Sequence, residues 1–417
     1  MTHPRRFIIK FIVALLVVTL STKPNQVSGD ALSLPKGQEG IVVENAGVMV
    51  NFGQSITFTA KIKSSLPIQQ ISLLFREANE EITRVETLQV AEGGAVSFTY
   101  DATQNAFPPF SWILFWFQAT LSDGVTYTSE PIKFQYYDDR FPWRQANQVN
   151  VTINWYAGDD AFGASALDAA GAGILGMRDF IPISFTDPIE IYIYSNVTDL
   201  QSTLLSSSNE WVGAHAHPQL GIVLVAISPG ASQFIEMETK IPHELAHVML
   251  FRALGEQYQR QPAWLIEGIA SMLELYPNPD YARAMQIASD NDSLIPFNDL
   301  CASFPVDAGS AFLAYAQAQS FVTYIRNSFG TSGLARLMSA YNEGFNCELG
   351  ATQALGIPLS QLDVRWRETV LGQNVSGVAI RNLLPFLLLM LLVLIVPLWS
   401  AMDVIRQRRK NGNEKSK

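Results

Sequence analysis

Histidine is scarce in this sequence, five in 417 residues, yet two of them stand four apart in Ile241-Pro242-His243-Glu244-Leu245-Ala246-His247. On a helix that spacing puts both imidazoles on one face, one turn apart, where they can share a zinc ion. Glu244 would then lie beside the ion, placed to take a proton from a water whose pKa zinc lowers to about 7. Thr239 is expected to cap this helix, Pro242 to sit in its first turn and Gly255 to end it. Two imidazoles leave the coordination incomplete. Glu267, in Pro262-Ala263-Trp264-Leu265-Ile266-Glu267-Gly268-Ile269-Ala270-Ser271, follows His247 by twenty residues, room for the helix to end and a second to return antiparallel. Three protein ligands leave the fourth position to water, which is the open, catalytic kind of zinc site.

The two segments together resemble the gluzincin zinc metallopeptidases of the peptidase MA-like family, whose pattern is H-E-x-x-H followed by a second-helix glutamate. Trp264-Leu265-x-Glu267-Gly268-x-Ala270-Ser271 is similar to the W-L-x-E-G-x-A-S of the aminopeptidase N family. Tyr315 to Phe321 and Gly356-Ile357-Pro358-Leu359 resemble later helices of such domains, so that the resemblance runs from about residue 150 to 370. It implies an α+β peptidase domain, taken as 149–371, with Zn2+ held by His243, His247 and Glu267 and with Glu244 as general base. It also implies a tyrosine or histidine from a later helix to stabilise the oxyanion. Tyr315 is best placed by order, against a simple packing role, and Tyr258, Tyr276 and Tyr281 compete with it. Ser271 stands where thermolysin-like enzymes carry an aspartate that orients a zinc-bound histidine. The G-x-M-E-N segment with which the aminopeptidases hold a free amino terminus is missing: the corresponding region reads His217-Pro218-Gln219-Leu220-Gly221-Ile222-Val223. Glu236 and Glu238, the acids nearby, lie too close to the zinc helix to replace it. The expectation is therefore an endopeptidase that takes an extended peptide or protein backbone by strand addition along Leu220 to Ile227.

What positions these residues is read from the patterning around them. Beyond Asp138 to Trp143, which breaks the preceding pattern, strands are expected at Val149 to Tyr156, Ile189 to Tyr194 and Leu220 to Ile227, the last buried or at an edge. Helices are expected around Ala164 to Phe180 and from Thr198, with Gln201 completing a capping box. Ala308 to Ser328, Leu334 to Tyr341, Glu348 to Leu355 and Ser360 to Leu371 carry helical spacing, with Gly330, Gly344 and Gly356 as stops. His215 and His217 stand two apart and share a face if extended. Either they border the cleft on a loop, or they supply a second metal ligand set or a proton donor.

Upstream, residues 31–140 alternate with a period of two, as in Ile56, Phe58, Ala60 and Ile62, with further runs at Ile71 to Phe75, Ala95 to Tyr100, Trp112 to Thr120 and Pro131 to Tyr136. Short strands at this spacing predict an immunoglobulin- or fibronectin-like sandwich, either a structural domain or a module that presents substrate. A net charge of −10 argues against a nucleic-acid surface, and two cysteines, Cys301 and Cys347, argue against a cysteine-rich zinc module. Those two either pair or stay as buried thiols.

Arg5, Arg6 and Lys10 before the apolar run Phe11 to Leu20 have the build of a secretory signal, taken as 1–29, or of an uncleaved anchor. A stalk at 374–381 leads to Leu383 to Met402, twenty residues without a charge and long enough for a transmembrane helix. Arg406, Arg408, Arg409 and Lys410 follow, so residues 403–417 are expected as a cytoplasmic tail, with the rest facing outward from the cell membrane. The leading expectation is a membrane-anchored metallopeptidase. The alternatives are a non-catalytic surface-binding protein on a relic peptidase fold, and a zinc hydrolase acting on another amide; the intact Glu244 favours an enzyme over a relic.

Overall fold

The alternation upstream folds as predicted in the computed structural model, which describes residues 40–178, 186–204 and 213–373 together with parts of 383–405. The expected signal segment and stalk lie outside the described residues. Strands β1 (Ile41–Asn51), β2 (Ser55–Ser64) and β5 (Ala95–Asp101) make a three-stranded sheet. A second sheet joins β4 (Arg84–Leu88), β3 (Ile68–Glu77), β6 (Trp112–Leu121) and β7 (Thr126–Thr128), with β8 (Ile132–Gln135) also on β6. Ile56, Phe58, Ala60 and Ile62 are buried as every second residue of β2, and they meet the other sheet through Phe58, 5.0 Å from Phe75 and 5.2 Å from Phe115 between ring centroids. A sandwich with one aromatic core results.

The chain then builds a mixed sheet from β9 (Arg144–Gln148), β10 (Val151–Trp155), β11 (Ile189–Tyr194), β12 (Ala214–His217) and β13 (Ile222–Ala226), in the order β12-β13-β11-β10-β9. Strands β10, β11 and β13 run parallel, and β9 and β12 are antiparallel edges. Leu220 to Ile227 thus does not supply an edge. Its strand β13 is buried at every position and paired on both sides, so its backbone has nothing left to offer a substrate. The edge is β12, in the segment of His215 and His217, which is a strand and not a loop.

Helices cover both faces. One face carries α1 (Asp160–Arg178) and α3 (Gln233–Leu254) over Ile153, Ile191, Ile193, Val223 and Val225. The other carries α2 (Val197–Leu204) and the sandwich residue Phe110, stacked on Tyr192 at 3.4 Å. Beside that stack the fully buried Asp138 is satisfied by Arg140, Tyr194 and Thr203. A buried carboxylate with three partners is strongly tied to one arrangement. The cap of α2 is Asn196, whose Oδ1 accepts the N–H of Asp199 at 2.8 Å, so the Thr198–Gln201 capping box does not form. Helix α3 starts six residues before Thr239, whose hydroxyl donates instead to the carbonyl of Tyr276, and Pro242 lies in the helix interior. Opposite Pro242 is Gly173 of α1, where even a Cβ would stand 3.0 Å from the proline ring. Gly255 does end the helix, at φ 58°.

The remaining helices are α4 (Ala263–Met272), α5 (Asp280–Asp290), α6 (Ala308–Asn342), α7 (Cys347–Leu355) and α8 (Leu359–Val370). Gly330 interrupts α6 at φ 71°, and Gly356 ends α7 in the left-handed region. The residues fall into two compact units. One holds everything to Gln261 with Leu265–Asn278 and Pro305–Ala311; the other holds Pro262–Trp264, Pro279–Phe304 and the chain from Phe312 onward. The second unit has its own core, in which Phe297 stacks on Phe321 at 3.8 Å and both meet Trp366 edge-on. The described positions between Leu383 and Met402 are helical with exposed apolar side chains. Among the described residues no helix is long and apolar enough to cross a membrane.

Cys301 and Cys347, both in the second unit, form a disulfide at a sequence separation of 46. It lies at the start of α4, where Ala263 N–H donates to the Cys301 carbonyl at 2.9 Å and Trp264 Nε1–H to Cys347 Sγ at 3.3 Å. Opening a loop of that length returns roughly 4 kcal/mol of chain entropy to the unfolded state. Denaturant unfolding of the Cys301→Ser/Cys347→Ser protein should therefore show a lower midpoint than wild type, with an unfolding free energy lower by about 4 kcal/mol. Equal midpoints would show that the bond does not stabilise the fold.

Candidate metal centre

His243 and His247 leave the same face of α3 with ring centroids 5.2 Å apart. Glu267, one turn into α4, meets them. Its Oε2 is 3.4 Å from His243 Nε2 and 3.5 Å from His247 Nε2, and one ligand atom from each of the three residues lies within 4.8 Å of the others. Two ligand atoms bound tetrahedrally to zinc at about 2.0–2.1 Å stand roughly 3.3–3.5 Å apart. The spacing fits a shared ion and is too long for a good hydrogen bond. The buried Glu267 Oε2 also has no hydrogen-bond partner of its own, as a ligand atom kept for a cation would not.

The other ring nitrogens are held. His243 Nδ1 lies 3.0 Å from Glu274 Oε1, and His247 Nδ1 lies 2.9 Å from the Tyr258 hydroxyl. With Nδ1–H donating to those oxygens, each Nε2 keeps its lone pair toward Glu267, the tautomer a metal ligand needs. Burial opposes charge on His243, but the facing carboxylates of Glu267, Glu274 and Glu244 raise its pKa well above the usual imidazole range, so a bound cation would take the place of a proton on Nε2. Burial likewise opposes charge on Glu267, but the two imidazoles hold it far below the usual carboxylate range. Glu244, Glu267 and Glu274 together make this a point where positive charge is stabilised. Glu244 itself is 8% exposed and makes no hydrogen bond to another described residue.

The sequence reading missed Glu274. The support sought at Ser271 comes instead one turn later, from the single acid of the otherwise apolar or small run Ile269 to Leu275. A carboxylate in such a run was the available signal. Tyr258 was a candidate oxyanion donor, but its hydroxyl is engaged by His247; burial, then Glu267 and Glu244, raise its pKa far enough to keep it a neutral phenol. Tyr276 is exposed. Tyr281 and Tyr315 belong to the second unit, packed edge-on against Phe312 and Phe304. His215 and His217 form a perpendicular pair 4.6 Å apart, which does not include a third metal-ligating side chain: among the described residues the group at His243, His247 and Glu267 is the one suited to an ion.

Partners of metal-bound histidines typically contribute 10- to 100-fold in metal affinity. Tyr258→Phe and Glu274→Gln should each weaken zinc binding by about that factor, Glu274→Gln more because it also removes a charge. Competition against a zinc-chelating dye would show it, and wild-type affinity in both variants would refute the assignment.

Residues 169–372 match the family model described as Peptidase MA superfamily. No curated protein matches the sequence at a significant level. Among solved structures, a bromine derivative of BhCBM56 matches with 12% identity and TM-score 0.19, over 26% of this chain and 99% of its own. A family 56 beta-1,3-glucan-binding carbohydrate-binding module matches with 18% identity and TM-score 0.16, over 21% of this chain and 94% of its own. The cycloalternan-degrading enzyme from Trueperella pyogenes bound to isomaltose matches with 20% identity and TM-score 0.16; this chain spans only 13% of that protein. Similarity at that level carries no inference about function.

Proposed function

We propose that the chain is a membrane-anchored, outward-facing zinc endopeptidase. The observation that carries the catalytic reading is the convergence of His243, His247 and Glu267 on one point beside an uncommitted Glu244, inside the segment matched by the Peptidase MA superfamily model. The anchor rests on the uncharged run Leu383 to Met402 and the basic residues after it.

His243, His247 and Glu267 would hold Zn2+, which when bound supplies Lewis acidity toward water and the scissile carbonyl. Glu244 takes the proton from the attacking water and returns it to the leaving amine. Glu274 and Tyr258 keep the two imidazoles oriented throughout. The family resemblance implies an oxyanion donor from a later helix, for which Tyr315 is the candidate by sequence order alone. Extended substrate is taken up at the edge of β12 that no other described strand pairs, in place of the buried Leu220 to Ile227. Ala226 N–H donates to the Gly213 carbonyl at 2.9 Å, so alternation turns the backbone of His215 toward β13 and that of Ala214 and Ala216 outward.

Strand β12 carries no carboxylate to receive an ammonium group, and Glu236, on α3, is paired with Lys240 at 2.9 Å. Desolvating an unpaired ammonium costs several kcal/mol. Internally quenched peptides blocked at both ends should therefore be cut with a kcat/KM at least about 100-fold above that for amino-acid anilides with a free amine. Hydrolysis of the anilides with the blocked peptides left intact would overturn the endopeptidase assignment.

A further inference from the structure

The two faces of β12 differ in chemistry. Ala214 and Ala216 lie opposite Val225 and Val223 and pack on the core beneath α3. His215 and His217 lie opposite Leu224 and Ile222, whose side chains belong to the core on the α2 side. Successive side chains of a strand point to opposite faces, and the same holds for any strand added alongside. In a peptide bound to the outward backbone of Ala214 and Ala216, every second side chain thus stands beside the imidazole pair. The intervening ones stand on the opposite side of the sheet, beside the methyls of Ala214 and Ala216.

The pair is uncharged at neutral pH. Burial pushes His215 down and His217 down to about 4. The charged and titratable groups that bear on His215 are Glu244, which resists the shift, and His247, which adds to it; His215 adds to the shift at His217. Neither ring is hydrogen-bonded to another described residue. His217 Nε2 is buried without a partner, and neither imidazole brings a countercharge to a ligand.

We propose that His215 and His217 form an uncharged subsite that reads every second side chain of a peptide strand added to β12, admitting neutral side chains and rejecting charged ones. The proposal rests on the peptidase reading for the placement of substrate at this edge. A charged side chain entering here loses water and gains at most a neutral hydrogen bond, which does not repay its desolvation. Neutral side chains lose much less. The selectivity is positional: it falls on alternate residues and spares those between.

The test is binding of fluorescent, doubly blocked octapeptides to the zinc-loaded full-length Glu244→Gln protein, scanning Leu, Phe and Gln against Lys and Glu at one position at a time. Wild-type hydrolysis of the same peptides is followed in parallel. Lys and Glu should weaken binding at least about tenfold at alternate positions and little at the positions between. His215→Gln, neutral and similar in reach, should keep this pattern and controls for folding. His215→Glu should convert rejection of Lys into preference at one position. Equal binding of charged and neutral side chains everywhere, a pattern that His215→Glu leaves unchanged, or no peptide binding at all would overturn the subsite. Alternating binding without wild-type hydrolysis would uphold the subsite and refute the peptidase reading, whereas hydrolysis without alternation would do the reverse.

Discussion

Glu244→Gln should leave the protein with its full zinc content and lower kcat/KM toward blocked peptides by about 10²–10⁴-fold, the range of general acid–base catalysis by one group. The substitution keeps the side chain's shape and removes its charge and its ability to accept a proton. Metal retention is expected because Glu244 lies outside the group formed by His243, His247 and Glu267. Stability should change little, since no hydrogen bond to another described residue is broken. Zinc content by mass spectrometry and turnover on one preparation read the two halves separately. Full turnover in the variant would refute the catalytic role, and a zinc-free wild-type protein would refute the metal centre.

The parts of this centre that were legible in the sequence are those fixed by local periodicity. His243 and His247 share a helix face by spacing alone, and the alternation of Ile56, Phe58, Ala60 and Ile62 predicted which side of β2 is buried. Glu267 was found through the motif around it. The parts that were not legible depend on tertiary proximity. Tyr258 reaches His247 from the turn after α3, and nothing in the residues between distinguishes a hydroxyl aimed at a ring nitrogen from one aimed at solvent. Strand order is equally invisible: Ile222 to Ala226 reads the same whether it lies inside a sheet or at its edge, and the four residues Ala-His-Ala-His alternate over too short a run, with side chains too small, to mark a strand. Thr239 misled because a capping residue is defined by where a helix starts. Here favourable packing of Met237 and Ile241 on the sheet core carries α3 back to Gln233.

Glu267→Gln should lower zinc affinity by more than the 10- to 100-fold expected of either supporting partner, and should bring peptide hydrolysis down to background. The reason is electrostatic as well as geometric. Glu267 is the one carboxylate among the three ligand side chains, and its Oε2 stands 3.4 and 3.5 Å from the two imidazole nitrogens, so the amide removes a full negative charge from the point the ion occupies. Glu274 cannot replace it, because its Oε1 faces His243 Nδ1, the side of the ring away from Glu267. The comparison with Glu274→Gln decides between a ligand and a supporting role. If Glu267 binds the ion, its variant should lose zinc on dialysis against a weak chelator that leaves Glu274→Gln largely loaded, and excess zinc should restore Glu274→Gln far more fully. Equal retention of zinc by the two variants would place Glu267 outside the coordination sphere, leaving a two-histidine site too weak to hold zinc for catalysis.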